Sequence, residues 1–163
     1  MVVRLPFHNN GERLSNFDEL RCLSMMRGLV LQLPEISWKN GRRCIDAWRW
    51  RDRTFVEVTS CRKELPNMND KLKDKNDQFL KAGKKGVLAL FFPIAWQWSY
   101  ETRWALVTAI EKYCYFHHTG HSRRITAVEV WCGNGHFERF EMLPWNYVTK
   151  IKKARRKVKR VLF

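Results

Sequence analysis

The chain has 163 residues, 45% apolar and 13% aromatic, with 31 lysines and arginines against 16 acids and a formal net charge of +15. That length holds one domain with a real hydrophobic core and leaves little room for a second, while the charge forecasts a polyanionic partner, nucleic acid before membrane. The longest apolar run, "GVLALFFPIAW", is shorter than the roughly 20 helical residues that cross a bilayer, and "MVVRLPFHNNGER" has no sustained apolar stretch of the signal-peptide kind. The chain therefore reads as soluble and intracellular. The five cysteines, Cys22, Cys44, Cys61, Cys114 and Cys132, are odd in number and lack framework spacing, so they read as reduced core residues.

In chain order, "LSNFDELRCLSMMRGLVLQLP" opens with Ser15 three residues before Asp18, in the manner of a capping box, and stays apolar through Leu33 before Pro34. This predicts a helix up to that proline. Residues 35–43 carry the Asn40-Gly41 turn signal. "RCIDAWRW" and "RTFVEVTS", separated by Arg51 and Asp52, predict a β-hairpin. "ELPNMNDKLKDKNDQFLKAG" predicts an exposed helix with a sparse stripe of Met68, Leu72, Phe79 and Leu80, capped by Gly83.

"GVLALFFP" is a continuous apolar run between Gly86 and Pro93 and suits a strand buried on both faces. "SYETRWALVTAIEKYCYF" sets Leu106, Ile110, Tyr113 and Cys114 at helical spacing, and "ITAVEVWC" with "HFERFEML" predict a hairpin around Gly133-Asn134-Gly135. The resulting order is α-β-β-α-β-α-β-β, an α+β fold with a central mixed sheet flanked by helices. Residues 1–150 are expected to form the domain, and 151–163 a basic tail. There is no internal repeat.

Asp46 and Glu57 are eleven residues apart, a separation that a tight hairpin folds back until both carboxylates approach one divalent ion. Mg²⁺ and Mn²⁺ take oxygen ligands, and phosphodiester cleavage uses such an ion to make hydroxide and to stabilise the departing oxygen. Phe55, Glu57 and Thr59 share one strand face because side chains alternate. The simpler alternative is a surface ion pair with Arg49, Arg51 or Arg53, which would be nearly neutral in energy.

A hairpin, an exposed helix and a buried strand in succession, with an acid opening the hairpin and another on its second strand, is the core order of the PD-(D/E)xK nucleases. "DAWRWRDRTFVEVTSCRKE" resembles the corresponding segment of the N-terminal cap-snatching endonuclease domain of the orthomyxovirus polymerase acidic subunit, and most closely its thogotovirus branch. The motif covers about twenty residues, and the order of elements extends the likeness over most of the chain. The resemblance implies metal ligation by Asp46 and Glu57, partnership with the other viral polymerase subunits and with viral or host RNA, a monomeric isolated domain, and residence in the host nucleus and the virion. The tail would begin the linker to the rest of the subunit.

The family also uses a histidine on the first long helix, an acid upstream of the Asp and a lysine from the next helix. The histidine position falls at Ser24 or a neighbour, and the helix has no histidine. Glu35 is the one acid between the helix and Asp46, and it lies too near Asp46 in sequence to match the upstream acid. Lys71, Lys73 and Lys75 are all candidates for the lysine, with Lys73 taken as the catalytic one, and the strand position that the wider superfamily gives to lysine holds Thr59. Two oxygen ligands hold a divalent ion weakly. The expectation is an endonuclease-like domain with a degenerate site that binds Mn²⁺ or Mg²⁺ weakly or not at all. The alternatives are an active metal-dependent RNA endonuclease and an unrelated basic nucleic-acid-binding protein.

Other constellations compete. Cys114, His117, His118, His121 and Cys132 offer nitrogen and sulfur ligands for zinc without a familiar spacing, or a helix end enriched in histidine, or a Cys-His nucleophilic pair. Among eight tryptophans, Trp48/Trp50 and Trp96/Trp98 mark core-packed faces more readily than base-stacking platforms. The basic clusters at 41–43, 83–85 and 122–124 sit in loops, where one of them is expected to meet phosphate or an acidic partner.

Overall fold

The computed structural model describes residues 2–4, 14–32, 45–63, 66–117 and 122–143. Its elements are β1 (Val2–Arg4), α1 (Leu14–Met25), β2 (Val30–Gln32), β3 (Ala47–Arg49), β4 (Thr54–Ser60), α2 (Met68–Ala82), β5 (Gly86–Phe92), a 3₁₀ turn (Ala95–Gln97), α3 (Tyr100–Phe116), β6 (Ile125–Cys132) and β7 (Phe137–Glu141). The seven strands form one mixed sheet in chain order. β2, β3 and β4 make an antiparallel meander, β4, β5 and β6 run parallel, and β1 and β7 close the two edges. The fold is α+β, as expected.

Parallel neighbours need a crossover, and α2 and α3 supply the two between β4, β5 and β6. Both helices pack on one sheet face, where Met68, Leu72, Phe79, Leu106 and Ile110 meet Leu88, Leu90, Phe92, Val128 and Val130. α1 covers part of the other face through Cys22 and Leu23, joined by Met26 just after its end, and these pack on Ala47, Val56, Val58, Ala89 and Phe91. β5 is buried along its whole length. With helices on both sides, its alternate side chains all point into apolar cores, which is why its sequence shows no polar alternation.

Local signals account for the element ends. Asn67 caps α2 by accepting from the Asp70 N–H, and Gly83 ends it with φ +66°. Ser99 caps α3 by accepting from the Thr102 N–H. Cys22, Cys61, Cys114 and Cys132 are buried free thiols, and Cys44 lies outside the described residues. The tail at 151–163 lies outside them too.

Two expectations fail. α1 stops at Met25, not before Pro34, because Gly28 turns the chain with φ +100° and Val30–Gln32 leave as a strand between β1 and β3. An apolar run after a helix reads as more helix until a glycine in the left-handed region is recognised as a break. The order of elements consequently gains β1 and β2. Asp18 does not serve a cap: its buried carboxylate accepts from Ser60 Oγ at 2.6 Å and from Arg62 Nε at 2.6 Å, tying α1 to the end of β4. Burial pulls the Asp18 pKa up, but these hydrogen bonds and the Arg62 charge prevail and hold it low.

Candidate functional site at the β3–β4 hairpin

The β3–β4 register pairs Ala47 with Val56, Trp48 with Phe55 and Arg49 with Thr54, so Asp46 stands across from Glu57. Residues 50–53 make the turn, with Arg53 at φ 51°. Regular pairing ends at Ala47, and side chains continue it. Val58 N–H donates to Asp46 Oδ2 at 2.7 Å, and Asp46 N–H donates to Glu57 Oε2 at 3.3 Å. The two acids therefore meet where β3 peels away from β4.

Glu57 is 2% exposed, and the Lys75 ammonium lies 2.6 Å from its Oε1. Lys75 also donates to Gln78 Oε1 at 2.9 Å. α2 carries Lys75 over this face of the sheet on its way from β4 to β5. Lys73, two positions earlier and so about 200° around the helix, is exposed and takes no part in the cluster. Lys71, one turn before Lys75, lines a neighbouring cleft of about 440 Å³ with Asp18, Ser60, Arg62, Asn67 and Asp74.

The electrostatics follow from burial and like charge. Burial, then the Glu57 and Glu19 charges, push the Asp46 carboxyl well above its ordinary pKa, against the pull of Lys75 and of the Val58 N–H. Glu19, on α1, escaped the sequence reading, which sought a histidine on that helix and an acid nearer the hairpin; an acid on the helix was the available signal. Ser24 is exposed, and its hydroxyl donates to the Arg21 carbonyl at 2.7 Å. Glu35 lies outside the described residues. The Thr59 hydroxyl, on the same strand face as Glu57, is buried without a hydrogen-bond partner.

For a divalent ion the ligand set is thin. Asp46 and Glu57 supply carboxylates, one of them already paired with Lys75, and among the described residues no group of three or more His, Cys, Asp or Glu can hold a metal. A hard cation takes six or more oxygens, and affinity falls as protein carboxylates are lost. The alternative zinc set stays unassembled among the described residues: Cys114 and Cys132 are buried, and His117 packs on the Tyr113 ring at 4.8 Å with its pKa lowered by burial. His118 and His121 lie outside the described residues.

An ion-pair network on the opposite sheet face holds the hairpin in place. Arg49, 5% exposed, donates from Nη1 and Nη2 to Glu129 at 2.8 Å each, and from Nε and Nη2 to Asp52 at 3.0 and 2.6 Å. Arg139 Nη1 at 2.7 Å and the Trp131 indole N–H at 3.1 Å complete the shell around Glu129. Burial raises the Glu129 pKa, but the Arg49 bonds outweigh it and keep the carboxylate ionised.

The tryptophans and basic loops divide in ways composition does not reveal. Trp98 packs on Phe92 and Phe140, whereas Trp50 and Trp96 are exposed. Arg123 of the 122–124 cluster binds the His117, Leu143 and Cys114 carbonyls instead of facing water, and Lys84 sits over the Phe55 ring at 5.1 Å. The 41–43 cluster lies outside the described residues. No family model, curated protein or solved structure matches the chain.

Proposed function

We propose that this chain is an endonuclease-like, RNA-binding domain of a viral RNA polymerase subunit, related to the orthomyxovirus cap-snatching domain, with a carboxylate site too poor in ligands for efficient cleavage. The observation that carries the reading is Asp46 across from Glu57, with Lys75 brought to Glu57 by the crossover helix. The succession of helix α1, antiparallel meander β2–β4, helix α2 and parallel strand β5 supports it, because that is the core order of the nuclease superfamily. The net charge of +15 supports an RNA partner. Among the described residues no helix is long and apolar enough to cross a membrane.

Thermal melting with and without Mn²⁺ tests the site. An ion at a concentration equal to its Kd adds about 0.4 kcal/mol, on the order of 1 °C for a chain of this size, whereas a hundredfold excess over Kd adds about 2.7 kcal/mol, or roughly 5–10 °C. At 1 mM Mn²⁺ (~1 mM being a weak-site Kd) the smaller shift is expected, with single-stranded RNA left intact. A shift of the larger size, lost in Glu57→Ala and accompanied by RNA cleavage, would replace this reading with that of an active enzyme.

A further inference from the structure

We propose that the chain carries a second ligand site, on the sheet face opposite the Glu57–Lys75 pair, which binds a nucleotide by its phosphate and its planar base. The cavity there is about 500 Å³, within the range of ~300–1,000 Å³ usual for small-molecule sites. Its position follows from α1 covering only part of that face, which leaves the β6–β7 end open.

One lip is cationic by construction. The Leu29 carbonyl accepts from the Trp50 N–H at 3.1 Å, and a Cβ on Gly28 would stand 3.1 Å from Arg51 Cβ, so the chain after α1 is seated against the hairpin turn. Arg27, next to Gly28, and Arg51, on the turn, both line this cavity. Both are exposed, and no acid among the described residues pairs with either. The two carboxylates that line the cavity, Asp52 and Glu129, are both bonded to Arg49, which leaves the Arg27 and Arg51 guanidiniums to a phosphate, which accepts from such groups in forked geometry.

The other wall is aromatic. Trp131 and Phe137 pack with ring centroids 4.4 Å apart, and Phe137 is 43% exposed. The indole N–H is held by Glu129, which fixes the orientation of the ring. The Gly135 turn above it opens on empty space, since a Cβ there would meet nothing within 4 Å. A flat base can slide onto this wall while its phosphate reaches the arginines, the pairing of stacking and charge that nucleotide sites use. The Arg49–Glu129 network, already satisfied internally, forms a rigid floor.

This site is independent of the carboxylate pair. The occupant is either a free nucleotide or the 5′-phosphorylated end of an RNA strand, two sources of the same chemistry. Calorimetric titration of the native chain with adenosine 5′-monophosphate, inorganic phosphate and a short 5′-phosphorylated RNA separates them. Expected is saturable nucleotide binding, tighter than inorganic phosphate, weakened roughly tenfold by Arg27→Ala or Arg51→Ala and unchanged by Glu57→Ala. Phe137→Ala is expected to reduce nucleotide binding to the level of inorganic phosphate. RNA bound more tightly than the nucleotide, with the same loss in Arg51→Ala, identifies the strand end as the occupant, and equal affinities identify the free nucleotide. Because Arg27 and Arg51 are exposed, melting curves of their variants should overlay the native one. The proposal is overturned if neither nucleotide nor RNA binds saturably, if phosphate alone binds as well as the nucleotide, or if the arginine variants bind as the native chain does.

Discussion

Arg49→Met tests whether the buried ion network holds the hairpin that carries Asp46 and Glu57. The substitution keeps much of the aliphatic volume and deletes all the bonds to Asp52 and Glu129. Asp52, with its side chain 37% exposed, can be rehydrated and loses little. Glu129 cannot: its side chain is 3% exposed, and only Arg139 and the Trp131 N–H remain to it. Breaking a buried pair from one side costs about 3–5 kcal/mol, and the two surviving partners put this case near the lower end, about 3 kcal/mol. For a chain of this length that lowers Tm by about 6–12 °C, measurable by circular dichroism. Adding Glu129→Leu removes the stranded charge, so the double variant should regain at least about half of the loss. A single variant within about 2 °C of the native Tm, or a double variant no better than the single one, would refute the reasoning.

Asp46→Asn should stabilise the protein at neutral pH by about 1 kcal/mol, because the native carboxylate is buried beside like charge. Its folded pKa lies above its unfolded one, so the folded state binds more protons between the two, and native stability falls as pH rises through that interval. The gap between variant and native Tm should widen with pH and close in acid; a gap independent of pH contradicts the assignment. Gly86→Ala should cost roughly 1–3 kcal/mol or more, since its Cβ would stand 2.3 Å from the Phe55 carbonyl oxygen and 2.9 Å from the Phe79 ring, where β4 and β5 begin to pair. Urea titration would show this as a lower midpoint at unchanged slope, and a midpoint equal to the native one would rule out the clash.

Much of this arrangement is legible in residue order. The alternation of "AWRW" and "TFVEV" about a charged turn brings Asp46 opposite Glu57, because a two-residue side-chain period and the register together set which residues face each other. The cap at Asn67, the stop at Gly83 and the unbroken apolar run of β5 are equally local. The break after α1 was legible only in part: Gly28 is visible, but that Val30–Gln32 leave as a strand depends on β1 and β3 being there to receive it.

What the sequence by itself determined is that two acids share the end of a hairpin, since the forces that bring them together act within about a dozen neighbouring residues. The tertiary structure decided that Lys75, not Lys73, answers Glu57, that Glu19 weighs on Asp46, and that Arg49 spans to Glu129 across 80 residues of chain. Those choices depend on how each helix is rotated against the sheet and where its path crosses. Packing of whole apolar faces sets both, and no local stretch of residues encodes them.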